Sequence, residues 1–276
     1  MSEDPQGSDP IEQFWRTYLT TGDYVKERRQ RRFFRFLPGF PRCKSCYAPF
    51  AGPGSWLVRS VYSKRPSTMN PQLCNVCEEF ARHYQGGAEV KLTLLFVDVR
   101  GSTALAERMS PKAFSQLINR FYVAATRIMV GTDALIDKIV GDQAAAMYVP
   151  GLAGADHARA GIRAAQEIMR ATGHADPEGP WISLGAGVHT GIAFVGSVGS
   201  ADGSSDITVL GDAPNTAARL SSLARQGEIL VSEGSVIAAG VLPSVLERRD
   251  LTLKGKTAKV PAFVLRQYSH APDRTG

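Results

Sequence analysis

Two aspartates stand where carboxylate chemistry would need them. Asp98 closes the apolar run in Leu95-Phe96-Val97-Asp98-Val99-Arg100-Gly101-Ser102-Thr103, and Asp142 sits in the turn of Asp137-Lys138-Ile139-Val140-Gly141-Asp142. A carboxylate ending a buried strand needs a cation or a donor beside it, because an unpaired buried charge is costly. Two such groups with room for water suit Mg²⁺ or Mn²⁺, hard ions that stay partly hydrated until a phosphate arrives. Taken singly, each aspartate also reads as a plain turn residue. Downstream, Asn215 and Arg219 lie four residues apart, on one face of an expected helix. An amide and a guanidinium so placed can hold a ribose and a charged phosphoryl oxygen; capping the helix and pairing with a surface acid is the plainer alternative.

A second constellation is made of sulfur. All four cysteines fall in the first 77 residues, as Cys43-Lys44-Ser45-Cys46 and Cys74-Asn75-Val76-Cys77. Paired C-x-x-C units read as a tetrathiolate site, with Zn²⁺ first and an iron–sulfur cluster as the alternative. A pair of redox-active dithiols is the third reading. The segment from 47 to 73 is rich in Gly, Pro and Ser, with one strand-like run, Trp56 to Val61. A metal clip would make up for its small apolar content.

The elements that must position these groups are readable from periodicity. Residues 1–10 read as a disordered tail, and Ile11, Phe14, Trp15, Tyr18 and Leu19 form one helical stripe. A basic-aromatic stretch from Lys26 to Phe36 follows, then the cysteine segment, then a short helix expected over 78–90 with a boundary at Gly86-Gly87. From Lys91 the texture changes. Leu92 to Val97 reads as an interior strand. Ser110-Pro111 starts a long helix, and Ala134 to Val140 with Ala144 to Val149 form a hairpin across Gly141-Asp142. A helix over 156–171, strands at Trp181 to Val188 and Gly191 to Val195, and a short strand near Ile207 to Leu210 complete a β-α-β-β-α-β order. A helix (Ala213 to Arg225), a strand (Glu228 to Ser232) and a terminal strand near Val260 to Arg266 follow. The fold class is α+β, ferredoxin-like and palm-type, preceded by a small four-cysteine module. The expected divisions are 1–10, 11–90, 91–268 and a disordered tail at 269–276.

Composition sets the outer bounds. In 276 residues, 43% hydrophobic content supports an ordinary core and argues against global disorder. No apolar run approaches the roughly 18–20 residues that cross a bilayer, and the polar first residues do not resemble a secretory signal. A soluble, cytoplasmic protein is expected. The net charge is +6, and +4 of it falls in the first 90 residues, compatible with nucleic acid, an anionic membrane or a polyphosphate ligand. For the basic-aromatic stretch, docking on the cysteine module or a dimer is preferred to binding nucleic acid or a membrane.

Three blocks, Phe96 to Thr103, Asp137 to Asp142 and Thr208 to Arg219, occur in an order and at distances that resemble a class III nucleotidyl cyclase catalytic domain, the adenylate/guanylate cyclase family. The resemblance covers residues 91–267, with His189-Thr190-Gly191 similar to the family's central strand-turn. It implies that Asp98 and Asp142 bind two Mg²⁺ or Mn²⁺ ions, that Asn215 orients the ribose, and that Arg219 neutralises charge on the phosphoryl oxygens. Lys254 resembles the triphosphate-contacting lysine, with Lys256 close by. Lys138 and Thr208 would read the base. A lysine donor suits N1 of adenine, and the Thr208 hydroxyl accepts from its amino group. Threonine there is also similar to a subgroup that includes bicarbonate-responsive enzymes, which implies bicarbonate as a candidate regulator. The family's shared sites imply a head-to-tail homodimer acting on ATP. Guanylate cyclase, or a catalytically silent scaffold working through its cysteine module, are the alternatives. Gly255-Lys256-Thr257 is no phosphate-binding loop, since the required upstream glycine is Asp250. His189 on an apolar strand reads as a hydrogen-bonded core residue rather than a base.

Overall fold

A computed structural model describes residues 9–21, 25–199, 205–243, 246–253 and 259–266, and side chains within these except at 25–28. Helix α1 (Pro10–Thr20) starts one residue before its apolar stripe, where Asp9 accepts from the Ile11 N–H at 3.0 Å, and it buries Trp15 and Leu19. Trp15 Nε1 donates to the Tyr84 carbonyl at 2.9 Å, and Phe14 stacks on Tyr84 with ring centroids 4.2 Å apart. The basic-aromatic stretch forms α2 (Val25–Phe34), whose last residue, Phe34, is fully buried in the cysteine module's own core with Ala48, Phe50, Val58 and Leu73. That core exists despite the low apolar content of 47–73, because Phe34 is recruited from outside the segment.

Two expectations in this region are corrected. The run from Trp56 to Val61 is not a strand but part of α3 (Pro53–Tyr62). Pro53 presets helical φ at the first turn, and the buried pair Gly54 and Val58 lies four residues apart while Trp56 is 71% exposed. The next helix, α4 (Asn75–His83), begins directly after Cys74 and ends before the expected span does. Gly86-Gly87 does not end a helix; it opens β1 (Gly86–Val99). A Cβ on Gly87 would lie 2.4 Å from the Val195 carbonyl, so glycine serves close strand approach there.

After β1 come α5 (Ser102–Arg108) and α6 (Pro111–Gly131), the latter capped by Ser110 as expected. The hairpin β2 (Leu135–Val140) and β3 (Gln143–Tyr148) leads to α7 (Pro150–Ala153) and α8 (His157–Ala171). Then follow β4 (Leu184–Gly199), β5 (Ser205–Leu210), α9 (Asp212–Leu223), β6 (Glu228–Ser232), α10 (Glu233–Ala238), β7 (Glu247–Leu251) and β8 (Val260–Arg266). The two strands expected at 181–188 and 191–195 are one, β4. Gly191 sits inside it, with room for a Cβ only 2.9 Å from His189 Nε2, so it marks tight packing rather than a turn. The sheet order β2-β3-β1-β4-β6-β8-β7, with β5 paired to β4, contains the β-α-β-β-α-β core.

By compactness the chain forms two units. One holds the described residues of 1–91, 149–155 and 192–211; the other holds those of 92–148, 156–191 and 212–276. In the second unit Thr93, the polar break in an apolar strand, is satisfied by His157 Nδ1 at 2.8 Å and Thr190 Oγ1 at 2.7 Å. Beside β6, Glu228 is 3% exposed and receives both Arg249 nitrogens at 2.8 Å and Arg266 at 2.9 Å. Burial opposes its ionisation, yet the arginines and the Arg225 N–H outweigh that and bring its pKa from 4.5 to about 2. A carboxylate depressed in the fold stabilises it above the unfolded pKa and loses that contribution as pH falls toward 2. Glu228→Gln should therefore cost about 3 kcal/mol at pH 7 and much less at pH 2, read by denaturant unfolding at both.

Candidate active site

Antiparallel register brings the two aspartates to neighbouring strand ends. Asp98, at the end of β1, lies opposite Gln143, and the Val99 N–H donates to the Asp142 carbonyl at 3.0 Å. Gly141 at φ +63° makes the turn that presents Asp142, and the Tyr122 hydroxyl holds that turn by donating to the Gly141 carbonyl at 2.6 Å. Hairpin geometry thus places the two residues at adjoining strand ends. Burial raises the Asp98 pKa above the usual carboxylate range; Arg100 opposes this and the Asp142 charge adds to it. Burial and the same Asp142 charge push the Tyr122 phenol up. Asp98 and Asp142 are the oxygen donors at this strand end that could hold a divalent cation.

Arg100 and Ser102, within the first motif block, also engage the two acids and carry no role readable from local pattern. Arg100 forms an ion pair with Asp98 Oδ2 and also donates to the Ser222 carbonyl at 2.9 Å, linking the strand end to the end of α9. Ser102 donates to Asp142 Oδ2. A charge two residues beyond Asp98 was the available signal, since alternate strand residues share a face. Lys138 sits after a bulge in β2 that separates it from Ile136 in register. The bulge turns Asp137 inward, 2% exposed, and leaves Lys138 outward, its ammonium 3.8 Å from Asp137 Oδ2.

Asn215 and Arg219 share the outer face of α9, whose inner face buries Ala213, Ala217 and Leu220. The helix lies hard on β4: a Cβ on Gly187 would come within 2.4 Å of the Ala217 carbonyl. Thr208 is on β5, opposite Gly196, in the first unit. Lys254 and its neighbour Lys256 lie outside the described residues. His189 bonds Ser232 Oγ at 2.9 Å through Nδ1, which is the core role expected of it.

The four cysteine sulfurs come together, all within 4.8 Å of one another. Cys46 and Cys74 Sγ are 3.7 Å apart, close to the edge of about 3.8 Å that a tetrahedron with metal–sulfur bonds of about 2.3 Å requires. The Cys74 N–H donates to Cys43 Sγ at 3.3 Å, and the Lys64 ammonium lies 4.0 Å from Cys74 Sγ. Hydrogen bonds from Cys43, Cys46 and Cys77 hold the Cys74 thiol far below its ordinary range, while the shared contacts push Cys46 and Cys77 well up. Burial alone would lower Lys64, but the sulfur charges outweigh it and raise its pKa. Sulfurs this crowded ionise together only around a cation.

A family model described as the adenylate and guanylate cyclase catalytic domain matches residues 87–267. An adenylate cyclase of Anabaena cylindrica is 32% identical over 157 residues, covering 53% of this chain and 30% of that protein. Adenylate cyclase 1 of Rhizobium meliloti is 28% identical over 164 residues, covering 56% and 24%. The chain thus spans less than a third of the length of these curated relatives. Among solved structures, the adenylyl cyclase CyaB from P. aeruginosa superposes with a TM-score of 0.56 at 28% identity, over 65% of this chain and 95% of that one. The guanylate cyclase domain of RhGC from Catenaria anguillulae, solved in complex with GTP, gives 0.53 at 21% identity over 64% and 98%; that likeness is one of fold. Among the described residues no helix is long and apolar enough to cross a membrane.

Proposed function

The chain belongs to the adenylate and guanylate cyclase catalytic domain family, and we propose that it converts ATP to 3′,5′-cyclic AMP and pyrophosphate. The observation that carries the reading is the pair of acids at adjoining strand ends, with Val99 bonded to Asp142 at 3.0 Å. Divalent Mg²⁺ or Mn²⁺ bound there would lower the pKa of the ribose 3′-hydroxyl and hold the triphosphate. In the reaction the 3′-oxygen bonds the α-phosphorus in line, the bond to the bridging oxygen breaks, pyrophosphate leaves, and the hydroxyl proton passes to water. Asn215 orients the ribose, Arg219 offsets the charge that grows on the phosphoryl oxygens, and Lys254 contacts the triphosphate. Asp98 and Asp142 of one chain work with Lys138, Thr208, Asn215 and Arg219 of the second in a head-to-tail homodimer. ATP as substrate goes with a cytoplasmic setting.

Lys138 carries the choice of base. Its ammonium, half exposed on β2, donates to N1 of adenine, where guanine carries a hydrogen of its own. The full chain incubated with ATP or GTP and Mn²⁺ should form cyclic AMP in preference to cyclic GMP. Lys138→Glu should lower kcat/KM for ATP by about 10–100-fold and narrow the gap to GTP. A wild-type preference for GTP would sink the base assignment, and absence of either product would sink the enzyme reading. At the cysteines, four sulfurs within reach of one point support a single Zn²⁺, since a cluster spreads its thiolates over several irons. Colourless protein with stoichiometric zinc is the expected result; a brown chromophore in anaerobically purified protein means iron and sulfide.

A further inference from the structure

Lys44 lies between Cys43 and Cys46, yet it is only 6% exposed, and its ammonium donates to Asp206 Oδ2 at 2.6 Å. A buried ammonium persists only with such a partner. Asp206 is on β5, two residues before Thr208, and the two alternate with the buried Ile207 and Val209. They therefore project from the same face of the strand. The grip is broader than one pair. Asn70, in the loop before the second cysteine pair, donates to the Ser205 carbonyl at 3.2 Å and to Asp206 Oδ1 at 3.4 Å. Gln85 reaches Ser205 Oγ at 3.4 Å, and Ser197 on β4 donates to the Ala81 carbonyl at 2.6 Å. The Lys44 N–H itself bonds the Gln72 carbonyl at 2.9 Å, which ties the two cysteine loops together behind the ion pair. All of these residues belong to one unit.

Strand β5 needs this. Among the described residues its ladder partner is β4 alone, and a strand held on one side opens readily unless side chains pin it. We propose that Lys44 and Asp206 are positioning residues for substrate recognition: through them the cysteine module fixes the strand that presents Thr208 to the adenine base. The inference rests on the adenylate cyclase reading of Thr208. It assigns the module a part in substrate affinity, exerted on β5, and leaves the chemical step to the aspartates and Arg219.

The test uses the full chain. Asp206→Asn keeps the shape of a 40% exposed side chain and removes its charge; it should raise KM for ATP about 5–10-fold with kcat unchanged. Asp206→Glu, which retains a carboxylate, should stay within about twofold of wild type. Lys44→Met should match Asp206→Asn, with bound metal unchanged by elemental analysis. Hydrogen exchange gives a readout independent of turnover: amides in 205–210 should exchange about tenfold faster in both charge-removing variants, while those of 92–98 stay as in wild type. An unaltered KM with unaltered protection of 205–210 would overturn the proposal, as would a fall in kcat at constant KM. Wild-type protein that makes no cyclic nucleotide would fail the enzyme reading, and the exchange result would then decide the clamp by itself.

Discussion

Asp142→Ala should lower cyclic AMP formation by at least about 10²–10³-fold while the melting temperature stays close to wild type. The asymmetry follows from position. Asp142 lies in a partly exposed hairpin turn, and its one described side-chain bond is from Ser102. Losing a single partly exposed hydrogen bond costs about 1 kcal/mol. The turn itself survives, held by Gly141 and the Tyr122 hydroxyl. Asp98 is a less clean target because its carboxylate also anchors Arg100, which reaches the end of α9. Asp98→Ala is therefore expected to cost stability as well as rate. Mixing Asp98→Ala chains with Arg219→Ala chains should restore turnover, because a mixed dimer assembles one intact site. Activity retained in Asp142→Ala would remove the metal role, and no rescue on mixing would remove the shared site.

Cys74→Ser should strip the metal from the cysteine module and unfold it. Cys74 is fully buried and caps α4, its sulfur is 3.7 Å from that of Cys46, and its N–H bonds Cys43 Sγ. A structural Zn²⁺ site contributes on the order of 10 kcal/mol of apparent binding free energy at neutral pH, comparable with the whole stability of an ordinary domain. The apolar core around Phe34, Phe50 and Val58 is small and does not replace that contribution. Expected readouts are loss of metal on elemental analysis, a lower first melting transition, and rapid proteolysis between residues 43 and 77. Acid should mimic the substitution, since protons compete with the ion for thiolate. A variant that melts as wild type does would show the module to be held by its apolar core alone.

What was hard to read was hard for identifiable reasons. The run at Trp56 to Val61 is a brief apolar-rich stretch of strand length, but Pro53 and the burial of Val58 against Phe34 select a helix. Gly86-Gly87 and Gly191 look like chain punctuation. In the fold Gly87 is where the β4 backbone passes close, and Gly191 is where the His189 and Ala213 side chains close in; local propensity does not distinguish such packing from a turn. Arg100 and Lys44 were each adjacent to a recognised motif, yet their partners Ser222 and Asp206 lie 122 and 162 residues away, beyond any local pattern.

The amino-acid sequence by itself determined the palm-like class with its β-α-β-β-α-β core, the identity of the acids, the amide and guanidinium on one helix, and the two C-x-x-C pairs. These depend on residue type and short spacing, which periodicity and turn chemistry govern. Tertiary structure alone decided that Arg100 ties Asp98 to the end of α9, that Lys64 lies beside the four sulfurs, and that the cysteine module grips β5 through Lys44 and Asp206. Each of those joins groups distant in the chain, and only strand register and the packing of buried side chains set such distances.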